Sequence, residues 1–171
     1  MSVGARVRHR VGQFWHTLTA PLRRVDEAYA AQYLAPAELA LFRRMGRAEQ
    51  LHGIALAQAL AAQGWQDPDL LKTALLHDVG KSVLRPQLWE RVWVVLAEWL
   101  LPRQAARWAR GDARGWRRGL VIRTRHAAWG AALLEAAGAS PRVVRWVRTH
   151  HDPAPVEPEL AALQTLDDTL G

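Results

Sequence analysis

Residues 74–81 read Ala-Leu-Leu-His-Asp-Val-Gly-Lys, an apolar run that ends on an imidazole and a carboxylate side by side. As consecutive residues of a helix, His77 and Asp78 can share one metal cluster, since both are ligands for borderline divalent ions. The dipeptide is common by chance, and a lone histidine on an apolar helix face is more often a satisfied core residue than a ligand. The rest of the chain raises the odds. His52, His126, His150, His151 and the pair Asp167-Asp168 fall at intervals that suit helices converging from different parts of the sequence.

Periodicity gives each of these residues a direction. Leu41, Met45, Ala48, His52, Ala55 and Ala59 recur at the three- and four-residue steps of one helical stripe, so His52 points where core residues point. Ile122, His126, Trp129, Leu133 and Ala137 form a second stripe. Val143, Val147 and His150 form a third, with Val144, Val147 and His151 beside it. Leu160, Leu163, Asp167 and Leu170 form a fourth, whereas Asp168 falls with Ala161, Gln164 and Thr165 on a more polar side. Asp167 is therefore the expected ligand. Five of the chain's seven histidines are expected to face inward, together with Asp78 and Asp167. Burying that many polar groups without partners costs several kcal/mol each, roughly, and a metal cluster satisfies them together.

The order His52, His77-Asp78, Asp167 resembles the H…HD…D signature of the HD-domain metal-dependent phosphohydrolases. His126 and the pair His150-His151 are similar to the additional ligands of the dinuclear HDIG and HD-GYP-like branch of that family. The run HDVGK resembles its HDIGK-type motif, and RHAAWGAALL the segment that reads H-x-x-x-G-A-x-L-L. The likeness spans Glu49 to Asp168, most of the chain. It departs in two places. Nothing after Asp152 resembles the D-G-x-G-Y-P segment of the cyclic-di-GMP enzymes, because PAPVEPEL stands there, and a cyclic dinucleotide substrate is not implied. Position 48 is alanine where trinuclear members carry glutamate, with Glu49 one residue out of register, so two metals are expected rather than three.

The resemblance implies an all-α HD-domain bundle with a dinuclear site in its core. One ion would be held by His52, His77, Asp78 and Asp167, the other by Asp78, His126, His150 and His151, with Asp78 bridging. Imidazole and carboxylate without thiolate suit iron or manganese. Two divalent ions against two carboxylates leave positive charge that attracts a phosphate and lowers the pKa of a bridging water, the two-metal arrangement for attack at phosphorus. The implied activity is hydrolysis of a phosphoester or phosphoanhydride in a nucleotide-like substrate by a metal-bridging hydroxide.

Asp78 and Lys81 are the expected catalytic residues. Lys72 and Lys81 are the only lysines beside 21 arginines. Lys81, one turn beyond Asp78, is expected to place a point charge on the substrate phosphate or on a ligand carboxylate. A solvated lysine favoured by the helix dipole is the ordinary alternative. Gly80-Lys81-Ser82 is not a nucleotide-triphosphate loop, because Leu75 stands where the first glycine is required and the preceding segment reads as helix rather than strand.

Half of the 171 residues are hydrophobic and no stretch alternates apolar with polar as a half-buried strand would, so the fold is read as all-α. A chain of this length supports one core. An N-terminal helical extension is expected over 1–35 and the HD domain over 36–171. Asp67-Pro68 and Ser140-Pro141 mark helix starts, and Gly64 and Gly138 lie just past helix ends. Helices are predicted near 21–33, 37–62, 68–79, 86–100, 117–137, 141–150 and 158–169.

The basic start ARVRHRVGQ is not followed by enough apolar residues before Pro21 to read as a secretory signal. The first 25 residues carry five arginines and no acids, which loosely resembles a transit peptide, and a short docked helix is the plainer expectation. With no cysteine there is no disulfide framework, and the cytoplasm is the expected compartment. The most apolar stretch, Leu88 to Leu101, carries Glu90, Arg91 and Glu98 and is too short to span a bilayer.

A net charge of +7 and nine tryptophans also invite a nucleic-acid reading, centred on Arg103, Arg107, Trp108, Arg110, Arg114, Trp116, Arg117 and Arg118. The interval between Asp78 and His126 could equally form a rim over the metals that offers arginines to a phosphorylated substrate. Two other classes stand beside the enzyme: a catalytically silent HD module that binds a nucleotide or partner protein, and an Arg/Trp nucleic-acid binder with structural metals.

Overall fold

The computed structural model describes residues 23–170, and among them every regular element is helical. Nine α-helices follow in order: α1 Glu27–Ala31, α2 Pro36–Arg44, α3 Arg47–Ala62, α4 Pro68–Leu76, α5 Leu88–Leu100, α6 Pro102–Trp108, α7 Arg118–Ala136, α8 Pro141–Thr149 and α9 Pro158–Leu170. Two 3-10 turns interrupt them, Val79–Ser82 after α4 and Gly115–Arg117 before α7. Residues 1–22 of the expected extension, with the first two residues of its predicted helix, lie outside the described residues. The remainder of that segment contributes Ala30 and Leu34 to the main core.

The punctuation read from sequence acts locally as expected. Asp67 caps α4 by accepting from the backbone N–H of Asp69 and Leu70, at 2.8 and 3.3 Å, and Pro68 needs no such partner. Ser140 caps α8 through the N–H of Val143. Gly64 at φ +90° and Gly138 at φ +77° end α3 and α7 in the left-handed conformation that glycine adopts without strain.

Elsewhere tertiary contacts shift the boundaries. The helix predicted over 37–62 is two helices, because Met45 and Gly46 are extended. The carboxylate of Glu49 turns back against Gly46, where a β-carbon would collide with it, and pairs with Arg91 of α5. Both helices bury apolar residues in one core, so the apolar period runs across the break without showing it. The helix predicted over 68–79 ends at Leu76, with His77 as its C-cap, and the glycine-lysine pair belongs to the 3-10 turn. The buried face of α7 runs through Ile122, His126, Gly130, Ala131 and Leu134, while the expected Trp129 and Leu133 are only half-buried. Helix α6 was not expected at all, although Pro102 stands at its first position.

The main core gathers Phe42, Leu56, Leu60, Leu75, Leu134, Trp146 and Leu163 from α2, α3, α4, α7, α8 and α9. A smaller cluster of Val94, Ala97, Ala105, Ala109 and Leu120 joins α5 and α6 to α7, flanked by Trp93 and Trp108. Two close approaches set the histidine-bearing elements. A β-carbon at Gly53 of α3 would lie 2.8 Å from the Leu75 carbonyl of α4. One at Gly80 would lie 2.6 Å from the Gly130 nitrogen of α7 and collide with the His126 carbonyl. Bare backbone at these crossings brings α3 onto α4 and the 79–82 turn onto α7.

Candidate metal centre

His77 and Asp78 sit where α4 stops, so their side chains lie at a helix end with other helix ends and faces around them. The five histidines and two aspartates of the sequence reading converge there as two groups. His52 of α3, His77 and Asp167 of α9 form the first, with their ligand atoms all within 4.8 Å of one another. His126 of α7, with His150 and His151 at the end of α8, forms the second within the same span. Asp168 belongs to neither.

Asp78 lies between them. Its Oδ2 is 3.6 Å from His77 Nε2 in the first group, and its Oδ1 is 3.4 Å from His126 Nε2 in the second. His77 and His150 rings, one from each group, meet edge to face at 5.3 Å between centroids. In the first group, Asp167 Oδ1 is 2.7 Å from His52 Nε2 and 3.7 Å from His77 Nε2. In the second, the Nε2 atoms of His126 and His151 face each other at 3.1 Å.

Backbone carbonyls orient three of the rings. His77 Nδ1 donates to the Ala74 carbonyl at 2.9 Å, and His150 Nδ1 to that of Val147 at 2.7 Å. His126 Nδ1 donates to Arg123 and Ile122 carbonyls at 2.9 and 3.1 Å. A carbonyl only accepts, so the proton of each neutral ring is on Nδ1 and the lone pair on Nε2, pointing into the site. This is the outer support that ligating histidines ordinarily have. His150 Nε2 is buried and has no hydrogen-bond partner among the described residues. A buried lone pair beside two other imidazoles is costly unless a cation or a hydrogen-bond donor takes it.

For His126, His150, His151 and the two aspartates the electrostatics suit deprotonated ligands. Burial, followed by the charge of Lys81, pushes His126 down to about 3. Burial, followed by His77, pushes His150 down to about 4. His151 is also lowered, by burial of its ring and by the charges of His150, Arg123 and His126. Its residue is nevertheless exposed, so the expected set of five inward histidines is corrected. His77, His126 and His150 are buried, His52 is partly covered, and His151 sits beyond the end of α8 at the rim.

Burial disfavours both aspartate anions, but their neighbours outweigh it. Lys81, His77, His126 and His52 hold Asp78 well below the usual carboxylate range. His77 and His52 do the same for Asp167. His52 is raised, because the hydrogen bond and charge of Asp167 exceed the opposing effect of burial.

Lys81 Nζ lies 2.6 Å from Asp78 Oδ2. A second cation, Arg123, was missed from sequence. It stands one turn before His126 and its Nη1 is 3.1 Å from His151 Nε2. Its three-residue spacing from His126 was the available signal. Of the arginines expected at a rim, Arg118 is committed to buried Glu90, donating to both carboxylate oxygens at 2.8 and 2.6 Å, and Arg117 lies over the Trp116 ring. Glu49 is in neither ligand group.

Comparison with protein-family models, with curated proteins and with solved structures finds no match. The side chains themselves carry the functional reading.

Proposed function

We propose that this chain is a metal-dependent phosphohydrolase of the HD-domain kind, built on a two-metal site and acting on a phosphoester or phosphoanhydride of a nucleotide-like substrate. The observation that carries the reading is the position of Asp78, with one carboxylate oxygen toward each of two groups of three potential ligands. His52, His77 and Asp167 would hold one ion, His126, His150 and His151 the other, and Asp78 would serve both. The orphaned Nε2 of His150 and the facing Nε2 atoms of His126 and His151 fit that role. An oxygen and nitrogen donor set without sulfur suits iron or manganese. Bound ions of this kind supply Lewis-acid charge to a phosphoryl oxygen and make water a usable nucleophile near neutral pH.

The chain's own residues would do the rest. The carbonyls of Ala74, Arg123 and Val147 keep three imidazoles aimed inward, so less ordering remains at the moment of binding. Lys81 neutralises Asp78 and is the nearest primary amine available to a substrate phosphate. His52, Lys81 and Asp167 are partly covered and His151 is exposed, which leaves each group open at its rim, whereas His77, His126 and His150 are closed off.

The test is elemental analysis of protein prepared with iron or manganese, combined with phosphate release from nucleotides, dinucleoside polyphosphates and a generic phosphodiester. The wild-type chain should hold two ions and turn over at least one of these compounds. Asp78→Ala should lose both ions and the activity together. A stoichiometric ion retained by Asp78→Ala, or no metal in the wild type, would refute the reading.

A further inference from the structure

Helix α5 has two faces of different character. At about 100° per residue, Glu90, Trp93, Val94 and Ala97 share one side, and Leu88, Trp89, Val92, Leu96, Trp99 and Leu100 fall within an arc of roughly 120° on the other. The first side is packed: Glu90, Val94 and Ala97 are buried and Glu90 is paired with Arg118. The second side is bare. Every one of its six large apolar residues is at least 40% exposed, and Trp99 reaches 71%. Single exposed apolar residues are normal on a monomer, but a whole helix face of them marks an interaction surface.

The surroundings of that face indicate what it meets. Trp93, at its edge, stacks on Trp108 of α6 at 6.4 Å, and Trp116 of the following 3-10 turn meets Trp108 edge to face at 4.8 Å. These rings fasten α6 and the turn alongside the apolar face, and with them the exposed arginines Arg103, Arg107, Arg110, Arg114 and Arg117. Between residues 85 and 118 there are eight arginines and three acids, of which Glu90 is buried. The result is an apolar strip with a tryptophan near each end, Trp89 and Trp99, and a cationic border.

We propose that this face of α5 docks the protein onto an anionic lipid bilayer, with the helix lying in the plane of the interface. Leucine and valine enter the acyl boundary, the indoles sit at headgroup depth, and the bordering arginines meet lipid phosphates. The helix is too short to cross a bilayer, and none of the described helices is long and apolar enough to do so. A second copy of this chain is a poorer occupant, because a two-fold contact sets the same arginine border against itself. A nucleic acid is poorer too, since four of the six exposed residues are aliphatic and give bases nothing to stack on.

The experiment is sedimentation of the full chain with vesicles of phosphatidylcholine alone or mixed with phosphatidylglycerol. Partition onto the anionic vesicles, weak on neutral ones and falling as salt rises, is expected. Leu96→Asp/Trp99→Asp should lower it by about 100-fold, since two large side chains no longer leave water. Arg103→Gln/Arg107→Gln/Arg117→Gln should lower it by about fivefold per arginine on anionic vesicles only. All five positions are exposed, so the unfolding midpoint should not move. Should a variant unfold, tryptophan quenching of the native chain by brominated lipid decides the matter, with quenching expected. No partition, or no quenching on anionic vesicles, overturns the proposal. So does self-association that the aspartate pair abolishes without any vesicle binding, or RNA binding lost with the same pair.

Discussion

Replacing Gly80 by alanine tests the crossing on which the candidate site is built. Gly80 is not in the left-handed region, so its conformation does not require glycine, and an alanine free of clashes would stabilise the chain by about 0.4–1 kcal/mol through the unfolded state. The clash reverses the sign. A β-carbon there would lie 2.6 Å from the Gly130 nitrogen and 2.8 Å from the His126 carbonyl carbon, both backbone atoms of α7. Carbon needs about 3.5 Å or more and the His126 carbonyl oxygen lies closer still, so turn and helix must separate by roughly 1.5 Å. Helix α7 cannot yield cheaply, because Ile122, Ala131 and Leu134 anchor it in the core, and Val79 is fully buried beside the crossing. Overpacking of this kind costs about 3 kcal/mol, equivalent to a fall in Tm of roughly 6–12 °C for a chain of this size. The same displacement draws Asp78 Oδ1 away from His126 Nε2, now at 3.4 Å, so the variant should also bind metal less well on the His126 side. Thermal unfolding followed by circular dichroism, with metal analysis of the folded variant, measures both effects. A Tm within about 2 °C of the parent, or above it, would show that the crossing is looser than described and that the glycine is not required for packing.

Four further outcomes are expected. Asp167→Ala should weaken one metal site while Asp168→Ala leaves both intact; the reverse result in elemental analysis would mean that the wrong carboxylate has been assigned. Lys81→Ala should keep its metal and lose turnover, and an unchanged rate would remove Lys81 from the mechanism. Arg118→Ala leaves the Glu90 carboxylate buried without its guanidinium, at a cost of about 3 kcal/mol, and Arg118→Met/Glu90→Met should recover most of it; urea midpoints for the three proteins decide whether the pair acts as a unit. In metal-free protein, His126 and His150 are pushed down to about 3 and 4, so below the ordinary histidine pKa the unfolded chain binds more protons than the folded one. Stability should therefore fall as pH drops from about 6.5 toward 4. The raised pKa of His52 opposes this at one position only. Urea midpoints that stay level between neutral and acid pH after chelation would contradict those burials.

Much of this was readable in the chain because it depends on neighbours in sequence. The three- and four-residue steps of leucine, alanine and valine specify helices, and no segment offers the alternation a strand needs. Asp67-Pro68, Ser140-Pro141, Gly64 and Gly138 place boundaries through side-chain caps and left-handed glycine, which are interactions within a few residues. The preference for Asp167 over Asp168 follows from a helix's angular period, since only one of two adjacent residues can share a face with Leu160 and Leu163. Other features required contacts between residues far apart in sequence. The break at Met45-Gly46 is tied to Glu49 turning back on the chain and pairing with an arginine 42 positions away. The expected stripe on α7 is rotated because Gly130 lies against the Gly80 backbone, a crossing that no local pattern encodes. The division of six candidate ligands into two groups, with Asp78 between them, exists only once α3, α4, α7, α8 and α9 have packed. In the sequence the six apolar residues of α5 stood out only as part of the chain's most apolar stretch, and the packing of the opposite face against α7 decided that they face water, because a helix period shows which residues share a side but not which side finds a partner.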